Sequence, residues 1–255
     1  MAIALFDGPD TRGNTRMVYF VFWTALYVLS YNLSQRMNPA VTPYAVLICA
    51  ALLLIWLGCR RSLKQFHICR PVLRGRDGLQ SAARGQFPDR VLILLGLAAL
   101  PAANLLSGGS FAEGNTAVLM AGAVIFEEVF FRGVLLAESG TSPFITWIAA
   151  KPEIVRAGIS SGLFAVFHAV NAAGGEAWLH VLPQMICAFC AGMLFAAVTL
   201  RTGSLIPGAA GHYFVNMTAA EENVFSLPVA AGSAICLLAG ILLLSRPRER
   251  KADRG

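Results

Sequence analysis

Long apolar runs separated by short polar segments set the pattern of this 255-residue chain. A helix that crosses a bilayer needs about 20 predominantly apolar residues. Runs of about that length or somewhat shorter occur at 17–32, 44–58, 91–106, 116–137, 154–173, 178–200, 205–220 and 225–244. They predict an all-α polytopic membrane protein with about eight transmembrane helices. Pro101 interrupts the third run, which neighbouring helices can accommodate. The run 144–150 is too short to cross, and Lys151-Pro152 ends it, so an interfacial or re-entrant segment is expected. The seventh run is short and contains Pro207.

Charges in the connections orient the spans. The connection 59–90 carries Arg60, Arg61, Lys64, Arg70, Arg74, Arg76, Arg84 and Arg90 against Asp77 and Asp89. The tail 245–255 carries Arg246, Arg248, Arg250, Lys251 and Arg254. Lys151 and Arg156 lie between runs four and five, and Arg201 between six and seven. The alternate connections hold Arg36, Glu113, Glu176 and Glu221-Glu222. With eight spans the two sets fall on opposite sides, and cytoplasmic connections are the cation-rich ones. Both termini are therefore expected in the cytoplasm, with the chain in the cytoplasmic membrane. The N-terminus lacks a short apolar region followed by a small-residue cleavage site, so the first span reads as an uncleaved anchor. The basic connection also holds Phe66, Ile68, Val72 and Leu73, and reads equally as a surface-lying amphipathic segment or as a solvated loop.

Composition narrows the class. Hydrophobic residues make up 56% and charged residues 13%, against about 45–50% and about 25% in soluble domains. The net charge of +6 sits in orienting connections and not in a patch interleaved with aromatics, so nucleic acid is not an expected partner. No repeat or soluble domain interrupts the chain, and 1–255 reads as one integral membrane domain. Cys187 and Cys190 form a C-x-x-C inside an apolar helix, where packing accounts for them better than redox chemistry.

One run departs from the apolar pattern. The stretch 116–137, TAVLMAGAVIFEEVFFRGVLLA, carries Glu127, Glu128 and Arg132 near its middle. Each charge at a bilayer centre costs roughly 2.5–3.5 kcal/mol on insertion scales. Glu128 and Arg132 are spaced i,i+4 and share a helix face. They read as a structural pair. Glu127 lies about 100° away around the helix and is left for chemistry. Run five places His168 four residues after Phe164, and run seven places His212 and Asn216 at i,i+4. Two intramembrane histidines, an unpaired glutamate and an asparagine satisfy one another only by converging. A carboxylate beside an imidazole can hold and deprotonate water. A second imidazole and an amide can donate to an oxyanion. The set suits water-mediated acyl hydrolysis inside the membrane.

Glu127-Glu128-x-x-x-Arg132, Phe164-x-x-x-His168 and His212-x-x-x-Asn216, on three apolar helices in this order, resemble the CAAX protease and bacteriocin-processing family of glutamic-type intramembrane endopeptidases. The resemblance covers 116–220. It implies an eight-helix core, with Glu127 and His168 binding the catalytic water, His212 and Asn216 forming an oxyanion hole, and Glu128, Arg132 and Phe164 in support. It also implies a membrane-associated peptide or protein substrate (prenylated, a peptide precursor or a sorting tail), the bilayer as a partner, and no cofactor. Zinc held by Glu127, His168 and His212 is the nearest rival, although the H-E-x-x-H pattern is absent. A proton-coupled carrier and a non-catalytic immunity or scaffold protein are the readings from other classes.

Overall fold

The computed structural model describes residues 87–136, 143–219 and 226–246. The first two expected spans, the connection 59–90 up to Gln86 and the tail beyond Arg246 lie outside the described residues. Those described are helical and contain no strand. In chain order the elements are α1 (Phe87–Leu106), α2 (Gly114–Glu128) continuing into a π-helical segment (Val129–Val134), α3 (Pro143–Ala149), α4 (Glu153–Phe167), α5 (Val170–Ala173), α6 (Trp178–Thr202), α7 (Ile206–Thr218) and α8 (Leu227–Ser245).

Four stretches are long and apolar enough to cross a membrane: 88–106, 153–173, 178–202 and 227–245. They coincide with expected runs three, five, six and eight. The other two described runs take less regular forms. Run four is α2 plus the π segment. Run seven is α7, whose 13 residues extend only about 20 Å.

α6 is the central helix, and its buried stretch 190–200 packs against α4, α7 and α8. The α6–α8 contact is close because Gly240 faces the Met193–Leu194 backbone: a Cβ there would lie 2.9 Å from the carbonyl carbon of Met193. Membrane helices approach in this way at small residues, since lipid supplies no hydrophobic force between them. Leu100, Leu194, Phe195 and Val229 fill the space where α1, α6 and α8 meet. Pro101 and Pro183 are accommodated without ending their helices.

Two sets of contacts tie the helix ends together. At one end Arg246 Nη1 donates to Asp89 Oδ1 at 2.8 Å, and Arg201 Nη2 donates to the carbonyl of Arg246. The start of α1 and the ends of α6 and α8 therefore meet. At the other end Ser107 and Ser226 hydroxyls are 2.5 Å apart, and Ala112 N donates to Met217 O at 2.7 Å. The end of α1 meets the end of α7 and the start of α8 there.

The short helix α3 lies between the π segment and α4. It buries Ile145 and Ile148 and exposes Phe144 and Trp147. Lys151 Nζ sits 4.7 Å from the Trp147 ring centroid. Apolar on one side and aromatic with a cation on the other, it has the character of an interfacial segment.

Candidate active site

Glu127 and Glu128 close α2, and the backbone changes character immediately after them. Across Val129–Val134 the helix widens, and Leu135 N bonds back five residues to Phe130 O at 3.1 Å. A π segment is rare and occurs often at functional sites. Side chains of α4 stitch it down: Ser160 Oγ donates to Phe131 O at 2.6 Å, and Arg156 Nη2 donates to Leu136 O at 2.5 Å.

Arg132 lies in the π segment and Glu128 just before it. Both side chains are fully buried, and Arg132 Nη1 donates to Glu128 Oε1 at 3.0 Å. The expected i,i+4 pair is present. The same Oε1 also faces His212 Nδ1 of α7 at 2.8 Å. A carboxylate oxygen only accepts, so Nδ1 carries the hydrogen. His212 Nε2 then turns toward Glu127 Oε2, 3.4 Å away. One imidazole thus bridges the two adjacent glutamates, in the order Arg132, Glu128, His212, Glu127. Glu127 is the most accessible of the four, its side chain 14% exposed against 4% for His212.

Aromatic rings enclose this chain of charges. The Arg132 guanidinium carbon is 4.2 Å from the Phe164 centroid and 5.6 Å from that of Phe195. Arg132 Nε and Nη2 have no hydrogen-bond partner among the described residues, so ring faces share in compensating its charge. Gly192 makes room for it: a Cβ at that position would be 2.9 Å from Nη2. Phe195 stacks on His212 with centroids 5.3 Å apart.

His168 reaches the site through Phe164. It sits just past the last residue of α4, where the chain turns before α5. Its Nδ1 lies 2.9 Å from Phe164 O. Because a carbonyl only accepts, Nδ1 carries the hydrogen and Nε2 keeps its lone pair in the neutral ring. The Phe164 ring meets His168 edge-on at 4.7 Å and His212 at 5.4 Å, and so spaces the two imidazoles. Asn171 of α5 donates to Gln184 Oε1 of α6 at 2.9 Å, which ties down the turn that follows His168. Asn216 is placed by α7 itself, one turn beyond His212 and half-buried.

The three motifs therefore come from α2 and its π segment, α4 and α7, as their order requires. Among the described residues no group of three His, Cys, Asp or Glu side chains is arranged to hold a metal ion. Glu127, His168 and His212 do not form such a group.

Residues 112–218 match the family model described as type II CAAX prenyl endopeptidase Rce1-like. The motif resemblance to the CAAX protease and bacteriocin-processing family is borne out over this segment. No curated protein and no solved structure matches the chain. The Rce1-like segment runs from just before α2 to the last residue of α7, and so contains every residue of the three motifs. Together with the apolar helices, the match points to an integral membrane protein of the peptidase class.

Sequence reasoning did not find several features of the Rce1-like segment. Glu128 has a second partner, His212. Phe195 stacks on that histidine. Ser160 and Arg156 hold the π segment. Ser160 and Ser161 in an otherwise apolar run were a usable signal, because polar groups in such runs need partners. Nothing in the pattern marked Phe195.

Proposed function

We propose that this chain is an intramembrane endopeptidase that hydrolyses a peptide bond in a membrane-associated substrate, with a prenylated C-terminal CAAX peptide as the first candidate. The observation that carries the reading is the buried chain Arg132–Glu128–His212–Glu127, with its most accessible carboxylate at one end.

In this reading Glu127 and His168 hold a water molecule. Glu127 takes its proton as the oxygen attacks the scissile carbonyl carbon. The carbonyl oxygen gains negative charge, and the Asn216 amide and His212 donate to it, His212 acting as an imidazolium with a hydrogen on Nε2 as well as on Nδ1. The tetrahedral intermediate collapses by breaking the C–N bond, and the proton held by Glu127 goes to the leaving amine. Water is consumed, and an acid and an amine are formed. Glu128 accepts from His212 Nδ1 and so keeps Nε2 directed into the site. Arg132 balances the Glu128 charge. No step requires a metal. The chain is read as eight spans in the cytoplasmic membrane, with the cation-rich end and both termini in the cytoplasm.

The test is cleavage of a fluorogenic farnesylated CAAX peptide by the full-length protein in lipid nanodiscs. Glu127→Gln keeps the shape and removes the base, which is worth about 100-fold or more. Cleavage should fall to near background while the peptide still binds. If Glu127→Gln retains more than about a tenth of wild-type cleavage, Glu127 is not the base. Loss of wild-type activity to a chelator, with recovery on adding zinc, would replace the metal-free mechanism.

A further inference from the structure

Asn104 belongs to α1, outside the matched segment, and it is buried. Its side chain reaches across to the last turn of α7. Nδ2 donates to Val215 O at 3.2 Å and to Thr218 Oγ1 at 3.2 Å. We propose that Asn104 is a positioning residue for Asn216, holding the turn of α7 that carries its amide. The proposal rests on the functional reading above.

An α-helix leaves its last four carbonyls without partners inside the helix, and α7 ends at Thr218. The carbonyls on either side of Asn216 are both taken by groups from elsewhere in the chain. Val215 O accepts from Asn104, and Met217 O accepts from Ala112 N at 2.7 Å. The Thr218 hydroxyl completes the fastening by donating to Phe214 O at 2.8 Å. The backbone of Asn216 is therefore bracketed on both sides from the α1 end and the connection that follows it.

The α1 side of the contact is itself fixed. Asn104 O accepts from Ser107 N at 3.1 Å and from Gly109 N at 2.9 Å. This turn passes through Gly108, whose φ of +88° favours glycine. Gly109 then lies so close to α7 that a Cβ there would strike the Thr218 carbonyl oxygen.

The bland alternative is an ordinary interhelical hydrogen bond, which membrane helices use for packing. The two roles differ in what they move. An oxyanion donor works within a narrow distance window, 2.7–3.1 Å, and a misplacement of about 1 Å can cost about 100-fold. His212, a turn earlier, is held independently by Glu128 and Phe195. Releasing the end of α7 should therefore displace Asn216 and leave His212 in place.

The experiment uses the full-length protein in nanodiscs and the farnesylated CAAX reporter. Asn104→Leu should lower kcat about 10- to 100-fold with KM within about twofold, and Asn104→Gln, which keeps an amide, should recover part of the loss. Asn104→Leu combined with Asn216→Ala should be no slower than Asn216→Ala alone by more than about twofold, because both changes remove the same donor. Losses that multiply would overturn the proposal. So would a fall confined to stability with kcat intact. Hydrogen exchange gives a readout independent of cleavage: in Asn104→Leu the amides of 214–218 should exchange faster while those of α6 and α8 are unchanged. Unchanged exchange at 214–218 would sink the tether whatever the activity. If Asn104→Leu fails to accumulate, Asn104→Ala, which removes the amide from both Val215 O and Thr218 Oγ1 without adding bulk, carries the same measurements. Full activity in Asn216→Ala would refute the oxyanion assignment itself, an outcome distinct from loss in Asn216→Ala with none in Asn104→Leu.

Discussion

The helices that carry the motifs and the helices that surround them are built differently. α6 and α8 run for 25 and 19 residues without a break, and α8 crosses its neighbours at Gly232 and Gly240. α2 changes to a π segment after 15 residues, α4 stops just before His168, and α7 is 13 residues long. Buried charge accompanies the irregular set: Glu128, Arg132 and His212 are all buried there. In a bilayer an unsatisfied backbone group costs several kcal/mol, so broken helices persist only where protein groups take over the freed carbonyls. Ser160, Arg156 and Asn104 do this for the π segment and for the end of α7. Irregular backbone and polar side chains thus occur together because each supplies what the other lacks.

Breaking that mutual support at its most buried point should have the largest effect on stability. Arg132→Ala leaves Glu128 as an uncompensated buried charge, and removing one member of such a pair costs about 3–5 kcal/mol. Yield and thermal stability in detergent should both fall sharply. Glu128→Gln combined with Arg132→Met removes both charges and should recover much of the stability. It should not recover cleavage, since His212 Nδ1 then faces an uncharged acceptor. A stable but inactive Arg132→Ala would instead assign the arginine to the reaction.

How much of this was legible in sequence follows from the same contrast. The apolar runs marked the described helices, with α4 and α5 joined as one, because hydropathy reports burial in lipid directly. The motif residues were legible because ionisable groups inside such runs stand out. The π segment was not, since an apolar run has no polar face from which to read one extra residue in a turn. The break at His168 was missed for a similar reason: run five stays apolar through it. The Glu128–Arg132 spacing was read correctly as a pair, yet its apparent self-sufficiency hid the contact with His212, 84 residues away. Asn104 bonds across 111 residues, and no local pattern announces a partner at that distance.

The surrounding helices should respond differently, in stability and not in chemistry. Gly240→Ala puts a Cβ 2.9 Å from the Met193 carbonyl carbon and 3.0 Å from Leu194 N. Backbone cannot move aside as a side chain can, and overpacking of this kind costs about 1–3 kcal/mol. Thermal stability should drop by that amount, while cleavage per folded molecule stays within about twofold. A selective loss of kcat would show that α8 communicates with the site and would dissolve the distinction.

The smallest effect is expected from the thiols, and it tests the distinction from the other side. Cys187 and Cys190 lie on α6 and Cys236 on α8, and all three are free. Their contacts are weak ones: Ser233 Oγ donates to Cys187 Sγ at 3.3 Å, and Cys236 Sγ donates to Gly96 O at 3.4 Å. A reactive cysteine needs a partly exposed setting with nearby positive charge to hold it as a thiolate. Cys190 and Cys236 are instead buried among apolar helices, where a cysteine behaves as a small hydrophobe. Replacing all three with alanine should cost at most about 1 kcal/mol per site. Cleavage should remain within about twofold, and neither reductant nor oxidant should change that ratio. A cleavage rate that depends on reductant in the wild type and loses that dependence in the triple variant would give the C-x-x-C a redox role. The chemistry would then extend into the regular helices, contrary to the division drawn here.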